Sequence, residues 1–158
     1  MSNSTYAIAI GSNRRGRHGD PAAEVRAAIG LLGGVTARSR VLASAPLGPS
    51  IRRFANAVVL IQSAELPSVL LARLKRIEHD FGRRRGARWG ARVIDLDIIL
   101  WSGGVWHEKG LVVPHSAFRG REFVLGPLRA IAPDWRDPLT GLSVRQLHAR
   151  LAKRVRLG

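Results

Sequence analysis

The chain has no cysteine, one methionine, one tyrosine and only three lysines (Lys75, Lys109, Lys153) in 158 residues. Without cysteine there is no disulfide framework and no thiolate metal site. No segment approaches the ~18 uninterrupted apolar residues of a membrane span. The N-terminus lacks the charged start and continuous apolar block of a signal peptide. A soluble, cytoplasmic protein without a membrane partner is therefore expected. Acidic residues are also scarce, 11 against 26 basic ones, for a formal charge of +15 that is almost entirely arginine. Arginine's planar fork pairs bidentately with phosphate, which points to a polyanionic partner such as a nucleotide or nucleic acid. Arginine usage also follows genomic base composition, and a solvated surface is an equal reading of the charge alone. The length suits one domain, residues 1–158, and no internal repeat or low-complexity linker interrupts it.

The hydrophobic pattern divides the chain into alternating elements. Tyr6, Ile8 and Ile10 recur at period two before the turn cluster Gly11-Ser12-Asn13, predicting a strand that leaves into a loop. Asp20 as N-cap, Pro21 at the first helical position, and Val25, Ala28, Ile29 and Leu32 at helical spacing predict a helix ending at Gly33-Gly34. A second strand is expected within Val35 to Ala43. The run Phe54 to Ile61, apolar on both faces, reads as a central, doubly covered strand. Ala45 to Pro49 reads as a loop. From Pro67, the residues Leu70, Leu74, Ile77 and Phe81 predict a helix stopped by Gly82. Val93 to Trp101 reads as a strand with Ile94, Leu96, Ile98 and Leu100 on one face and Val93, Asp95, Asp97 and Ile99 on the other. Beyond it, Ser102-Gly103-Gly104 reads as a hairpin turn, Pro114-His115 and Gly126-Pro127 as loop points, and Asp137 to Gly141 as a turn. A final helix from Ser143 carries Val144, Leu147 and Leu151. This order predicts an α+β, ferredoxin-like sandwich, a mostly antiparallel sheet with helices packed on it.

The sharpest chemical signal is Asp95-Leu96-Asp97. Two residues apart on a strand, the carboxylates share one face with alpha carbons about 6.5 to 7 Å apart at a rise of ~3.3 Å per residue. Like charges that close need neutralising, either by magnesium, which keeps waters and substrate phosphates as its other ligands, or by salt bridges to neighbouring arginines. Immediately before them stand Arg83, Arg84, Arg85, Arg88 and Arg92 in a segment with two glycines, Trp89 and no apolar period. This is the composition of an exposed cationic loop. Metal-binding and anion-binding side chains thus converge at one strand end, as phosphoryl-type transfer requires. Gly11-Ser12-Asn13 lacks the Gly-Lys-Ser/Thr ending of a Walker loop and reads as a turn.

The run from Gly82 to Leu100 resembles the signature of 6-hydroxymethyl-7,8-dihydropterin pyrophosphokinases, in which an arginine loop leads through Arg-Trp-Gly-Pro-Arg to Asp-Leu-Asp. Ala7 to Asn13 is similar to that family's opening strand and turn. Pro46-Leu47-Gly48 and Phe54-Ala55-Asn56-Ala57-Val58 are similar to its pterin segment, and Ile77-Glu78 to its helix end. Val113-Pro114-His115, Arg121 to Leu128 and Ile131 to Asp134 also match, so the resemblance spans about residues 6 to 138.

The resemblance implies transfer of pyrophosphate from ATP to a hydroxymethyl dihydropterin, with release of AMP, by a monomer without a nucleic-acid partner. It implies that Asp95 and Asp97 hold two magnesium ions, and that Arg83, Arg85, Arg88, Arg92, His115 and Arg121 contact the ATP phosphates. Ile98 and Leu111 would lie near the adenine. Phe54 and Phe123 would sandwich the pterin, Trp89 would cover it, Asn56 would hydrogen-bond it, and backbone groups at Pro46 and Leu47 would read its polar edge. Arg83, Arg85 and Arg92 join the aspartates as catalytic residues; no general base is assigned, Asp97 being a candidate only. Two departures stand out: Ala91 replaces the family's proline, and Val41 to Pro46 lacks the usual Tyr-x-Thr. The rival readings are an inactive relative of the family and a basic ferredoxin-like RNA-binding module. For the latter, the chain lacks an RNP-type aromatic strand, and only 6% of the residues are aromatic.

Overall fold

The computed structural model describes residues 3–44, 54–82 and 92–157. Its central sheet contains β1 (Ser4–Ser12), β2 (Val35–Arg38), β4 (Phe54–Ser63) and β5 (Asp95–Trp101) in the order β2-β4-β1-β5, with β3 (Leu42–Ser44) also on β4. The pairings β1–β4, β1–β5 and β2–β4 are antiparallel. Helix α1 (Pro21–Leu32) follows β1, and α2 (Pro67–Asp80) joins β4 to β5. This is the ferredoxin-like arrangement expected from the element order, extended by α3 (Glu122–Ile131) and α4 (Val144–Leu157).

The period-two pattern sends alternate residues to two cores. Tyr6, Ile8 and Ile10 of β1 join Ala57, Val59 and Ile61 of β4, under Val25, Ile29 and Leu32 of α1 and Leu70, Leu74 and Ile77 of α2. The opposite face, with Ala7, Val58 and Leu100, packs against Phe118, against Val124, Leu125 and Leu128 of α3, and against Leu147 and Leu151 of α4. Strand β4 is thus interior and covered on both sides, as its continuous apolar run indicated. Local signals place the helix ends well. The Asp20 carboxylate accepts from Ala23 N–H at 2.9 Å. The Ser143 hydroxyl accepts from Gln146 N–H, while the Gln146 side chain accepts from Ser143 N–H at 2.9 Å, a reciprocal cap.

The second strand expected within Val35 to Ala43 is β2; after it the Ser39 hydroxyl and amide both bond the backbone of Val58 before β3 begins at Leu42. Four expectations are corrected. Gly11 and Ser12, read as part of a turn, belong to β1, where they pair with Asn56 and Ala55. Strand β5 begins at Asp95 rather than Val93, and its alternation breaks. Opposite Ala7 and Ile8 lie Leu100 and Ile98, so Ile99 is the extra residue of a bulge and Leu100 turns to the second core. The turn at Ser102-Gly103 does not return the chain onto β5. The strand after it, β6 (Trp106–Glu108), pairs with β7 (Leu111–Val113) across Lys109-Gly110. Finally, Gly126-Pro127 lies inside α3. Proline removes the donor for the carbonyl of Phe123, but burial of Val124, Leu125 and Leu128 holds the helix together across that gap.

Candidate active site

The second face of the sheet is covered by α3 and α4 over only part of its length, and where it is left open the floor is made of small residues. In register, Gly11 of β1 lies between Asn56 of β4 and Asp95 of β5, and Ala9 lies between Val58 and Asp97. A Cβ at position 11 would come within 3.0 Å of the Asn56 side-chain oxygen, so glycine keeps this row open. The result is a cleft of about 620 Å³ lined by Ala9, Gly11 to Asn13, Asn56, Asp95 and Asp97, with Phe54, Arg121 and Phe123 among its remaining walls. Phe54 and Phe123 expose 47% and 49% of their surface. Two half-bare aromatic rings at one cleft suit a flat heterocycle. The Arg121 guanidinium lies 5.7 Å from the Phe123 ring centroid.

The carboxylates are supported from below and beside. Strand β5 is a sheet edge, so its outward amides need partners other than a strand. Leu96 N–H, between the two aspartates, donates to Oε2 of the buried Glu78 at 2.8 Å. Arg92 Nη1 donates to Asp95 Oδ1 at 2.9 Å. That hydrogen bond raises the Arg92 pKa, with Glu78 and Asp97 adding to it against some desolvation, so the guanidinium is permanently cationic. Asn13 holds Arg92 by its backbone: Arg92 N–H donates to Asn13 Oδ1 at 2.7 Å, and Asn13 N–H donates to the Arg92 carbonyl at 3.1 Å.

His115 reaches the same region through the bulge, its N–H donating to the Ile99 carbonyl at 3.0 Å. Burial lowers its pKa below the ordinary 6.5, and Arg121 lowers it further against the opposing pull of Asp97. The ring is therefore neutral at pH 7. Its Nδ1 accepts from Ala117 N–H at 3.1 Å, which leaves the proton on Nε2 as a donor. A pH titration followed by NMR is expected to place the His115 midpoint below 6.5; a midpoint at or above it would contradict this environment.

A family model described as 7,8-dihydro-6-hydroxymethylpterin-pyrophosphokinase (HPPK) matches residues 7–133. The chain belongs to this family. Relatives named 2-amino-4-hydroxy-6-hydroxymethyldihydropteridine pyrophosphokinase include that of Methylorubrum extorquens, 38% identical over 91% of each chain. The relative of that name from Synechocystis is 39% identical over 66% of this chain but only 53% of its own, about half its length. Among solved structures, a Plasmodium falciparum HPPK-DHPS triple mutant with SDX-DHP shares the fold, with a TM-score of 0.74 at 14% identity. That match covers 97% of this chain and 45% of the other.

Against this HPPK frame, the residues singled out from sequence separate into four groups. Asp95, Asp97, Phe54, Asn56, Arg121 and Phe123 line one cleft. Arg92 and His115 sit beside it through the contacts described above. Ile98 and Leu111 are 3% and 7% exposed in the first core, outside the residues lining the cleft. Pro46, Leu47, Arg83, Arg85, Arg88 and Trp89 lie outside the described residues. Sequence reading passed over Gly11, Ala9, Asn13 and Glu78 as site residues. A glycine near the end of an apolar strand is the one local signal that could have marked the close approach at Gly11. Nothing local marks Glu78, whose partner is 18 residues away.

Proposed function

We propose that this chain transfers the pyrophosphoryl group of ATP to the hydroxymethyl oxygen of 6-hydroxymethyl-7,8-dihydropterin, a step of folate synthesis that releases AMP. The observation that carries the reading is the joint lining of one cleft by two carboxylates, an arginine and two half-exposed aromatic rings. Asp95 and Asp97 fit a magnesium site of the kind that takes its other ligands from substrate and water. Among the described residues no group of three or more acidic, histidine or cysteine side chains forms a protein-only cage. These two aspartates would hold two magnesium ions, which on binding supply neutralisation of the triphosphate oxygens and polarisation of the β-phosphorus.

The chain's own side chains orient and neutralise. Phe54 and Phe123 sandwich the pterin, and the Asn56 amide hydrogen-bonds it from the floor. Arg92, Arg121 and the Nε2–H of His115 face the phosphates; Arg83, Arg85 and Arg88 add to them, and Trp89 with the backbone at Pro46 and Leu47 completes the pterin side. Ile98 and Leu111 support the adenine from the first core. The bond between the pterin oxygen and the β-phosphorus forms as the bond from that phosphorus to the bridging α-oxygen breaks. That oxygen leaves with AMP, and the hydroxyl proton is released. Residues 1–158 act here as one domain and a monomer, in the cytoplasm, on small molecules rather than on nucleic acid. No described helix is long and apolar enough to cross a membrane.

Incubation with ATP, magnesium and the pterin, with nucleotides separated by chromatography, tests the reading. Pterin-dependent AMP is expected in equal amount to pterin diphosphate. ADP in its place, or nucleotide hydrolysis indifferent to the pterin, would overturn it.

A further inference from the structure

The loop between β1 and α1 makes contacts that the proposed reaction does not use. Gly16 and Gly19 exchange backbone hydrogen bonds at 3.0 and 3.2 Å. Between them, His18 is gripped by Glu24: its N–H donates to Oε1 at 2.8 Å, and its Nδ1 lies 2.7 Å from Oε2. Glu24 is fully buried. A buried carboxylate is costly unless its oxygens are satisfied, so this acid ties the loop to the first turn of α1.

The loop then touches the chain on both sides of the arginine run 83–91. On one side, Arg17 Nη2 donates to the Asp80 carbonyl at 2.6 Å, and the His18 ring lies 5.0 Å from that of Phe81. On the other, Asn13 brackets the backbone of Arg92. Gly16 abuts Val93 so closely that a Cβ there would approach Val93 Cγ1 to 2.6 Å and Glu24 Oε1 to 2.4 Å.

We infer that Glu24 and His18 are positioning residues for Arg92, fixing through this loop the backbone from which Arg92 reaches Asp95. The inference rests on the proposed role of Arg92 and Asp95 toward ATP phosphates. The Arg92–Asp95 pair cannot fix itself. Its side chains are 42% and 41% exposed, and an exposed ion pair contributes at most about 1 kcal/mol. The orientation of Arg92 therefore comes from its backbone, which the Glu24-anchored loop holds.

The test joins two readouts on Glu24→Ala, Glu24→Gln and His18→Ala, the last at a partly exposed side chain whose loss leaves the core intact. In the ligand-free chain, Glu24→Ala and His18→Ala are expected to speed amide exchange at Arg92 about tenfold or more, that amide being in the bracket with Asn13. Glu24→Gln, which keeps an acceptor for His18 N–H, restores most of the protection. In turnover, both alanine variants are expected to lose on the order of 10- to 100-fold in kcat with the pterin KM unchanged. In an Arg92→Ala background that loss should shrink to within about twofold, because the effect acts through Arg92. Unchanged Arg92 exchange, or a kcat loss that adds in full to Arg92→Ala, would overturn the inference. If the unaltered chain makes no pterin-dependent AMP, the proposed function fails, while the exchange readout still judges the loop.

Discussion

Replacing Asp97 with alanine is expected to abolish pterin-dependent AMP formation to within roughly one part in 10³, about 4 kcal/mol of lost transition-state stabilisation. Asp97 stands opposite Ala9 in the register of β1 and β5, on the open part of the sheet face, with Asp95 one step further along. Both carboxylates face one cleft, and on the proposed reading their mutual repulsion is the cost of a site for magnesium. Removing one would then relieve the ligand-free protein while removing a proposed magnesium ligand. The melting temperature of Asp97→Ala without nucleotide is expected to equal or exceed that of the unaltered chain. Activity measured by AMP release, alongside a thermal melt, separates this outcome from unfolding. A variant that retains more than a tenth of the rate would mean the aspartates are structural.

The largest effect on stability is expected at Asp137, which does not line that cleft. Its carboxylate is fully buried and receives Arg119 Nε at 2.6 Å and Nη2 at 2.9 Å, the Leu139 amide at 3.0 Å and the Thr140 hydroxyl at 2.8 Å. The Arg119 guanidinium in turn lies 4.7 Å from the centre of the buried Phe118 ring. Burial pushes the Asp137 pKa up, but the Arg119, Thr140 and Leu139 hydrogen bonds outweigh it and hold the carboxyl below its ordinary 3.8. Asp137→Ala leaves the Arg119 guanidinium, 25% accessible beside the buried Phe118, without its carboxylate and removes the acceptor for the Leu139 amide and the Thr140 hydroxyl, and is expected to cost about 3 kcal/mol. Urea denaturation of both chains measures it. The sign with pH follows from linkage. A depressed carboxyl pKa stabilises the fold fully above about pH 4, and this is lost as pH falls through the lower folded value. The stability gap between the chains should be constant near neutral pH and should narrow in the acid range below 4.

Much of this architecture is legible along the chain, and the reasons are local. Asp20 and Pro21 start α1, Gly33 ends it, and Ser143 with Gln146 starts α4, because a helix end is satisfied by residues within one turn. Tyr6, Ile8 and Ile10 sort to one core because side-chain direction alternates along any strand. Asp95 and Asp97 share a face for the same reason, and that pair with the arginines before it is what the proposed anion chemistry starts from. Where local rules failed, a distant partner had intervened. The bulge at Ile99 turned Leu100 to the second core and freed a carbonyl for His115. Packing of α3 on the sheet carried a helix through Pro127.

By itself, then, the order of residues determined the antiparallel α+β frame, the paired carboxylates and the cationic character of the segment before them, since each depends on neighbours a few positions apart. Only the tertiary structure decided that Gly11 and Ala9 leave an open floor, that Glu78 props the strand between the aspartates, and that Glu24 and His18 hold the loop against Arg92. These arrangements depend on strand register and on buried polar groups finding partners far along the chain. Desolvation makes such partners obligatory, but no spacing in the sequence announces which residues they are.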